Sequence, residues 1–176
     1  AKINDDIYVT GNLGDSFIGL LILKNKFKLN SYLNNYFIKK YFLPDIKFSL
    51  IKNIKKIANT SIDISDGLIS DMDKLINKQR LSYNILLENI PISFNLSKFL
   101  KNKKLLKKNF ISQGDDYQIL FTASKSKRSL IKKISKISKN KITRIGYIKK
   151  NTSKSSVVNS LNSKITLKNK GYFHTF

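Results

Sequence analysis

Ser61-Ile62-Asp63-Ile64-Ser65-Asp66-Gly67-Leu68 is the stretch on which the reading of this chain turns. Ile62 and Ile64 alternate with Asp63 and Ser65, so on a strand the isoleucines face a core while Asp63 and Ser65 share the other side. Asp66-Gly67 then turns the chain, and Leu68, Met72, Leu75 and Ile76 form the apolar face of a helix over 67–76. Two carboxylates and a hydroxyl therefore collect where a strand ends and a helix begins. Such a terminus offers free N–H groups and the positive end of the helix dipole to a phosphate. The carboxylates supply hard oxygens for Mg2+, which takes few protein groups and completes its shell with phosphate oxygens and water. Phosphoryl transfer uses this combination, because its catalysis is mostly positioning and charge neutralisation. The competing reading is local: Ser65 or Asp66 caps the helix, and Asp71 and Asp73 answer its dipole. Asp63, Asp66, Asp71 and Asp73 are four of the chain's 11 acids, and capping alone asks for one or two.

Outward from this segment, the pattern predicts strands over 7–10, 83–87, 118–122, 142–148 and 163–167, with a polar loop over 149–156. It predicts helices from Ser16, over 31–41, over 48–58, over 96–106 and over 126–138. The second of these stops before Pro44, as the residue ahead of a proline disfavours helix. Strands and helices mix without strict alternation and without an internal repeat. The reading is one α+β domain over 1–176, with a mixed sheet covered by helices.

Three further segments bear on chemistry. Gly114-Asp115-Asp116-Tyr117 places acids ahead of the strand Gln118-Ile119-Leu120-Phe121, suited either to a cation or simply to a turn. Gly11-Asn12-Leu13-Gly14-Asp15-Ser16 joins strand to helix. Its glycines either admit a phosphate or form a turn capped by Asp15 or Ser16, and no Gly-Lys-Ser/Thr follows to make a Walker A loop. The tail Gly171-Tyr172-Phe173-His174-Thr175-Phe176 holds the one histidine, read as packed, beside aromatics suited to a planar ring.

Composition narrows the function classes. Hydrophobic residues make up 41% of the 176, ordinary for a globular protein. No apolar run reaches the roughly 20 residues of a membrane-spanning helix, and the acidic start is not a signal peptide. With no Met at residue 1 and a strand beginning almost at once, the chain reads as part of a longer product. The absence of cysteine excludes disulfides, Cys-zinc sites and thiol nucleophiles, and a cytoplasmic location is expected. The net charge of +23 invites a nucleic-acid partner. Against that, the 34 basic residues include only Arg80, Arg128 and Arg144, and nucleic-acid surfaces favour the arginine fork. An A/T-rich codon bias toward Lys, Asn, Ile, Phe and Tyr accounts for the charge.

In this order, the four segments resemble those of the thiamine-monophosphate kinases, in the aminoimidazole-ribonucleotide-synthetase superfamily. The likeness is closest over 58–71. Asp6-Ile7-Tyr8-Val9-Thr10-Gly11 with Gly14-Asp15 resembles the start of the family's C-terminal domain, 114–121 its Gly-Gly-Glu-Asp-Tyr-Glu segment, and the tail its Gly-Tyr-Asp-His-Phe ending. The resemblance implies a three-layer α/β/α domain with a mixed sheet, like the C-terminal domain of aminoimidazole ribonucleotide synthetase. It implies Mg2+-dependent transfer of the ATP γ-phosphoryl group to thiamine monophosphate. By position it makes Asp63 and Asp66 Mg2+ ligands, Ser65 an ATP contact, and Asp115 and Tyr172 contacts to the thiamine phosphate. It implies partners too: an N-terminal metal-binding and dimerisation domain absent from this chain, a homodimer, and inactivity of this half alone.

Departures from the family pattern are specific. Leu43-Pro44-Asp45-Ile46-Lys47 stands where the family has Arg-Pro-x-Pro-Arg. Gln113 and Asp115 replace Gly and Glu, and Phe173 replaces Asp. Three alternatives stay open at this point: another ATP-dependent synthetase of the superfamily, a basic nucleic-acid-binding module, and a noncatalytic domain.

Overall fold

A computed structural model describes residues 1–77, 79–103, 106–151, 154–167 and 171. Six strands form one sheet: β1 (Asp6–Thr10), β2 (Thr60–Asp63), β3 (Leu81–Leu86), β4 (Ile119–Ala123), β5 (Ile142–Lys150) and β6 (Ser156–Val158). Their spatial order is β2-β4-β1-β5-β3-β6. All neighbours run antiparallel except β3 and β6, which are parallel. The sheet is thus mixed, as expected.

Period-two alternation in β1 decides the layering. Ile7 and Val9 join Leu120, Ile85, Ile145 and Ile148 on one face, where α4 (Leu68–Leu75) lays down Leu68, Ile69, Met72 and Leu75. Burying each of these side chains stabilises by about 2 kcal/mol. Tyr8 points the other way, stacked on Phe121 with ring centroids 5.2 Å apart. That face is covered by α3 (Ile51–Ile57) through Ile54 and Ile57, and by α6 (Arg128–Ile137) through Ile131. Helices on both faces of one sheet make the three-layer α/β/α arrangement. A separate cluster joins α1 (Asp15–Leu23), α2 (Ser31–Phe42) and α5 (Phe94–Lys103) through Ile18, Phe37, Leu96 and Phe99. Helices α1 and α2 approach closely at Gly19, where an added Cβ would lie 2.2 Å from the Phe37 carbonyl oxygen.

Two expectations at the C-terminal end need correction. Residues 163–167 make a single bridge, Lys164 to Val158, rather than a strand. The last strand among the described residues is β6, which starts at the end of the stretch that reads as polar loop and runs past it, while β5 extends two residues into that stretch. Three residues are too few to show alternation, yet Val157 and Val158 are buried and the backbone ladder to β3 holds them.

Candidate functional site

The expected strand-to-helix junction forms, but its N–H groups are occupied from within. Gly67, at φ 117°, precedes α4 as its cap residue without a side-chain cap bond. Ser65, Asp66 and Gly67 all donate their backbone N–H groups to one oxygen of Asp71, at 3.0, 3.0 and 3.1 Å. Leu68 donates its N–H to the Ile111 carbonyl. The amides expected to receive a phosphate therefore hold a protein carboxylate, which satisfies the helix terminus internally. Asp73 accepts from the Tyr83 hydroxyl at 2.8 Å. Asp71 thus closes the turn ahead of α4 and Asp73 holds the Tyr83 hydroxyl, so two of the four clustered acids have structural roles and only Asp71 serves the helix start.

The acidic loop arrives beside this junction because β4 pairs with β2 and the pairing continues outward. Tyr117 donates its N–H to the Ile64 carbonyl and Asp115 to that of Ser65. Gly114 must be glycine, since an added Cβ would lie 2.0 Å from the Ser65 carbonyl oxygen. Asp115 and Tyr117 both take the left-handed conformation, at φ 67° and 48°, which non-glycine residues adopt sparingly. Backbone of this kind gathers at functional sites.

The result is a cleft of about 440 Å3 whose lining includes Phe17, Ser65, Asp66, Gly114, Asp115 and Tyr117. Ser65, Asp66 and Asp115 thus come together from segments about fifty residues apart, whereas Asp63 does not line this cleft. Burial pushes the Asp115 carboxyl up from its ordinary value, and the charge of Asp66 adds to it. Asp63, exposed at the edge strand, lines a neighbouring and mostly apolar cleft of about 540 Å3 with Ile46, Phe48 and Ile51. That cleft is larger, but it holds Asp63 alone of the candidate residues. Tyr117 borders both clefts. Burial raises its hydroxyl, and the charges of Asp115, Asp63 and Asp66 add to the effect. The sequence reading passes over Tyr117 as a site residue. Its place in Gly-Asp-Asp-Tyr is visible, but its backbone conformation is not.

Tyr172 and His174 lie outside the described residues. Gly171, just ahead of them, packs on Asp66 and Ser70: a Cβ there would stand 2.3 Å from the Ser70 Cβ and 2.8 Å from the Asp66 carbonyl oxygen. Among the described residues, no three His, Cys, Asp or Glu side chains are grouped to hold a metal. The donor chemistry nevertheless fits Mg2+. Asp66 and Asp115 present carboxylates to one cleft close enough for one charge to raise the other's pKa, and a divalent cation relieves such repulsion.

The loop over 11–16 is not capped by Asp15 or Ser16. Gly14, at φ 92°, precedes α1 and donates its N–H to both oxygens of Asp116, 102 residues away, at 3.0 and 2.9 Å. Asp15 is buried and accepts from Tyr36 at 2.9 Å and Ser93 at 2.7 Å, while Ser16 donates to the Lys40 carbonyl. The turn alternative holds there, with its cap supplied from a distance. Two of the three arginines are held on buried Asp6: Arg128 at 2.6 and 2.8 Å, Arg144 at 3.0 Å. Burial raises the Asp6 carboxyl, but these guanidiniums outweigh it and hold the group below its ordinary value. Arginines engaged in this way weigh further against a nucleic-acid surface. No described helix is long and apolar enough to cross a membrane.

No family model matches the chain. Among curated proteins, it is 40% identical over 184 residues to the thiamine-monophosphate kinase of Buchnera aphidicola subsp. Acyrthosiphon pisum, covering 99% of this chain and 54% of that protein. The thiamine-monophosphate kinase of Escherichia coli K12 is 34% identical over 132 residues, 74% of this chain and 40% of that one. Among solved structures, AaThiL complexed with AMPPCP and TMP superposes with a TM-score of 0.77 at 27% identity, over 98% of this chain and 52% of that one. The hydrogenase maturation protein HypE of E. coli shares the fold, with a TM-score of 0.66 at 14% identity over 96% of this chain and 50% of that one. The chain spans about half the length of the curated relatives it matches. Sequence likeness along its whole length and the shared fold place it together: the chain belongs to the thiamine-monophosphate kinase family.

Proposed function

We propose that this chain forms one wall of the active site of a kinase that transfers the ATP γ-phosphoryl group to thiamine monophosphate, giving thiamine diphosphate. The observation that carries the reading is the convergence of Ser65, Asp66 and Asp115 on one cleft from two distant segments. The bound AMPPCP and TMP of the AaThiL neighbour support it. Ser65 contacts ATP in this assignment, and Asp115 and Tyr172 contact the thiamine phosphate. Asp66 from this cleft and Asp63 from the adjoining one would hold Mg2+, which when bound supplies charge neutralisation for the phosphates. The junction's amides are closed by Asp71. Phosphate recognition on this side therefore rests on side-chain oxygens and their cation, not on a backbone cradle. Positioning is the chain's contribution: β2 and the loop over 114–117 are laced together through the carbonyls of Ile64 and Ser65, so Asp66 and Asp115 keep a fixed separation.

The same reading takes the rest of the protein to be an N-terminal half with further metal ligands, the parent to be a cytoplasmic homodimer, and this half to be inactive alone. The test is thiamine diphosphate formation by the parent protein from thiamine monophosphate, ATP and Mg2+, beside its Asp66→Asn and Asp63→Asn variants. A loss of about 100-fold or more, near 2.7 kcal/mol of transition-state stabilisation, is expected in each. Product formation unchanged in both variants removes the metal assignment, and no product from the folded parent removes the reaction.

A further inference from the structure

One ammonium stands between the acids that organise the cleft. Lys74, on α4, donates to Asp71 Oδ1 at 2.8 Å and also pairs with Asp66 Oδ2. The three groups differ in freedom. Asp71 is fully buried, its other oxygen fixed by three backbone N–H groups. The Lys74 side chain is 48% exposed and that of Asp66 17%. The Asp71 contact is thus made to a carboxylate whose other oxygen is held by three N–H groups, while the Asp66 contact lies at the cleft and joins two groups that water reaches.

We propose that Lys74 is a positioning residue that serves as a resident counter-cation for the metal site. Without metal its ammonium spans Asp66 and Asp71; a divalent cation arriving at Asp66 displaces it, and it stays on Asp71. The inference rests on the assignment of Asp66 as a Mg2+ ligand. Its physics is a contest for one carboxylate. An ammonium and a metal ion cannot share the same oxygen face, and a divalent charge at an oxygen outweighs a monovalent one. A half-exposed ion pair is weak, so the exchange is easy, yet it still subtracts from metal affinity. In return, the ammonium offsets part of the repulsion between Asp66 and Asp115 while the metal is away. Because Lys74 keeps its bond to Asp71, the junction's amides stay in place through the exchange. A purely structural salt bridge makes a different prediction: its loss lowers stability and leaves metal binding unaltered.

The experiment measures Mn2+ binding to the full-length parent protein by the EPR signal of free Mn2+, for wild type, Lys74→Met, Asp66→Asn and the double variant. Thermal melts without metal accompany each. Lys74→Met is expected to bind Mn2+ about five-fold more tightly, to melt lower without metal, and to gain more from added Mn2+ than wild type does. In the Asp66→Asn background the Lys74 substitution is expected to change nothing, which isolates the pair from other metal sites. Lys74→Gln, which can still hydrogen-bond Asp71, provides the same readout if the methionine variant does not fold. Unchanged or weaker Mn2+ binding in the Lys74 variants, with Asp66→Asn binding less than wild type, overturns the counter-cation and leaves the metal assignment standing. Wild-type binding in Asp66→Asn itself overturns both.

Discussion

Two buried carboxylates, Asp71 and Asp116, perform the same operation at the starts of α4 and α1, with different surroundings. Asp71 gathers three N–H groups from the turn just ahead of its own helix and has the Lys74 ammonium at 2.8 Å. Asp116 receives Gly14 from 102 residues away, and among the described residues it makes no ion pair. Burial pushes its pKa up to about 8, opposed by the N–H groups of Gly14 and Ser16 and aided by the charges of Asp15 and Asp115. A carboxylate with a cation beside it keeps a charged, water-facing neighbourhood in order; one without becomes a neutral strut at neutral pH. The first arrangement borders the candidate site. The second supports it from behind, because the loop it pins carries Asp115 and Tyr117.

Asp71→Ala should break the first region most severely. Three N–H groups lose their acceptor, and each buried unsatisfied donor costs about 1–3 kcal/mol. Partial water access at Ser65 and Asp66 keeps the total near 4 kcal/mol, read from urea denaturation of the parent protein. A cost below about 1 kcal/mol would mean that the turn holds its shape without the carboxylate. Gly114→Ala ranks next, at about 2–3 kcal/mol from overpacking against the Ser65 carbonyl, and it should separate Asp115 from Asp66. Kinase activity falling more than stability would locate the effect in the cleft.

Asp116→Asn tests the second region through pH. The fold keeps this group protonated from its ordinary value of 3.8 up to about 8. The unfolded chain has lost the proton by then, so stability falls as pH rises through that window, by at most about 1.4 kcal/mol per unit. The asparagine variant should show a flatter decline between pH 5 and 8 in denaturant titrations. An unchanged slope would mean that Asp116 is ionised in the fold. Tyr83→Phe is the smallest change, removing the hydroxyl bond to Asp73 at about 1 kcal/mol. It should leave activity intact, since neither residue lines the cleft.

The contrast also explains what could be read from sequence. The alternation that turns Ile62 and Ile64 to the core and the apolar face of α4 are local regularities, and both appear as expected, whereas the strand ends at Asp63 and leaves Asp63 and Ser65 on different clefts. Local signals also give the acid cluster, but not how it divides. Nothing at Asp71 says that its oxygen will close over Ser65–Gly67, because that depends on the turn's curvature. The capping of α1 by Asp116 requires knowing that β4 lies beside β1, a long-range fact absent from either segment. Strand β6 is legible only once β3 is there to pair with it. Tyr117 is conspicuous only in three dimensions, where its left-handed backbone sets it at the border of two clefts.

The position of β1 has a consequence for how the protein is made. Of the six strands it is the first to be synthesised, yet both its neighbours, β4 and β5, lie more than a hundred residues downstream. Closing such long loops delays productive pairing. The apolar side chains of β1 wait without their sheet until residue 150 has been synthesised, and nascent chains exposing unpaired strands are prone to aggregate. Slowing translation between β1 and β5 should therefore lower the yield of folded protein, whereas a pause after β5 should do no harm.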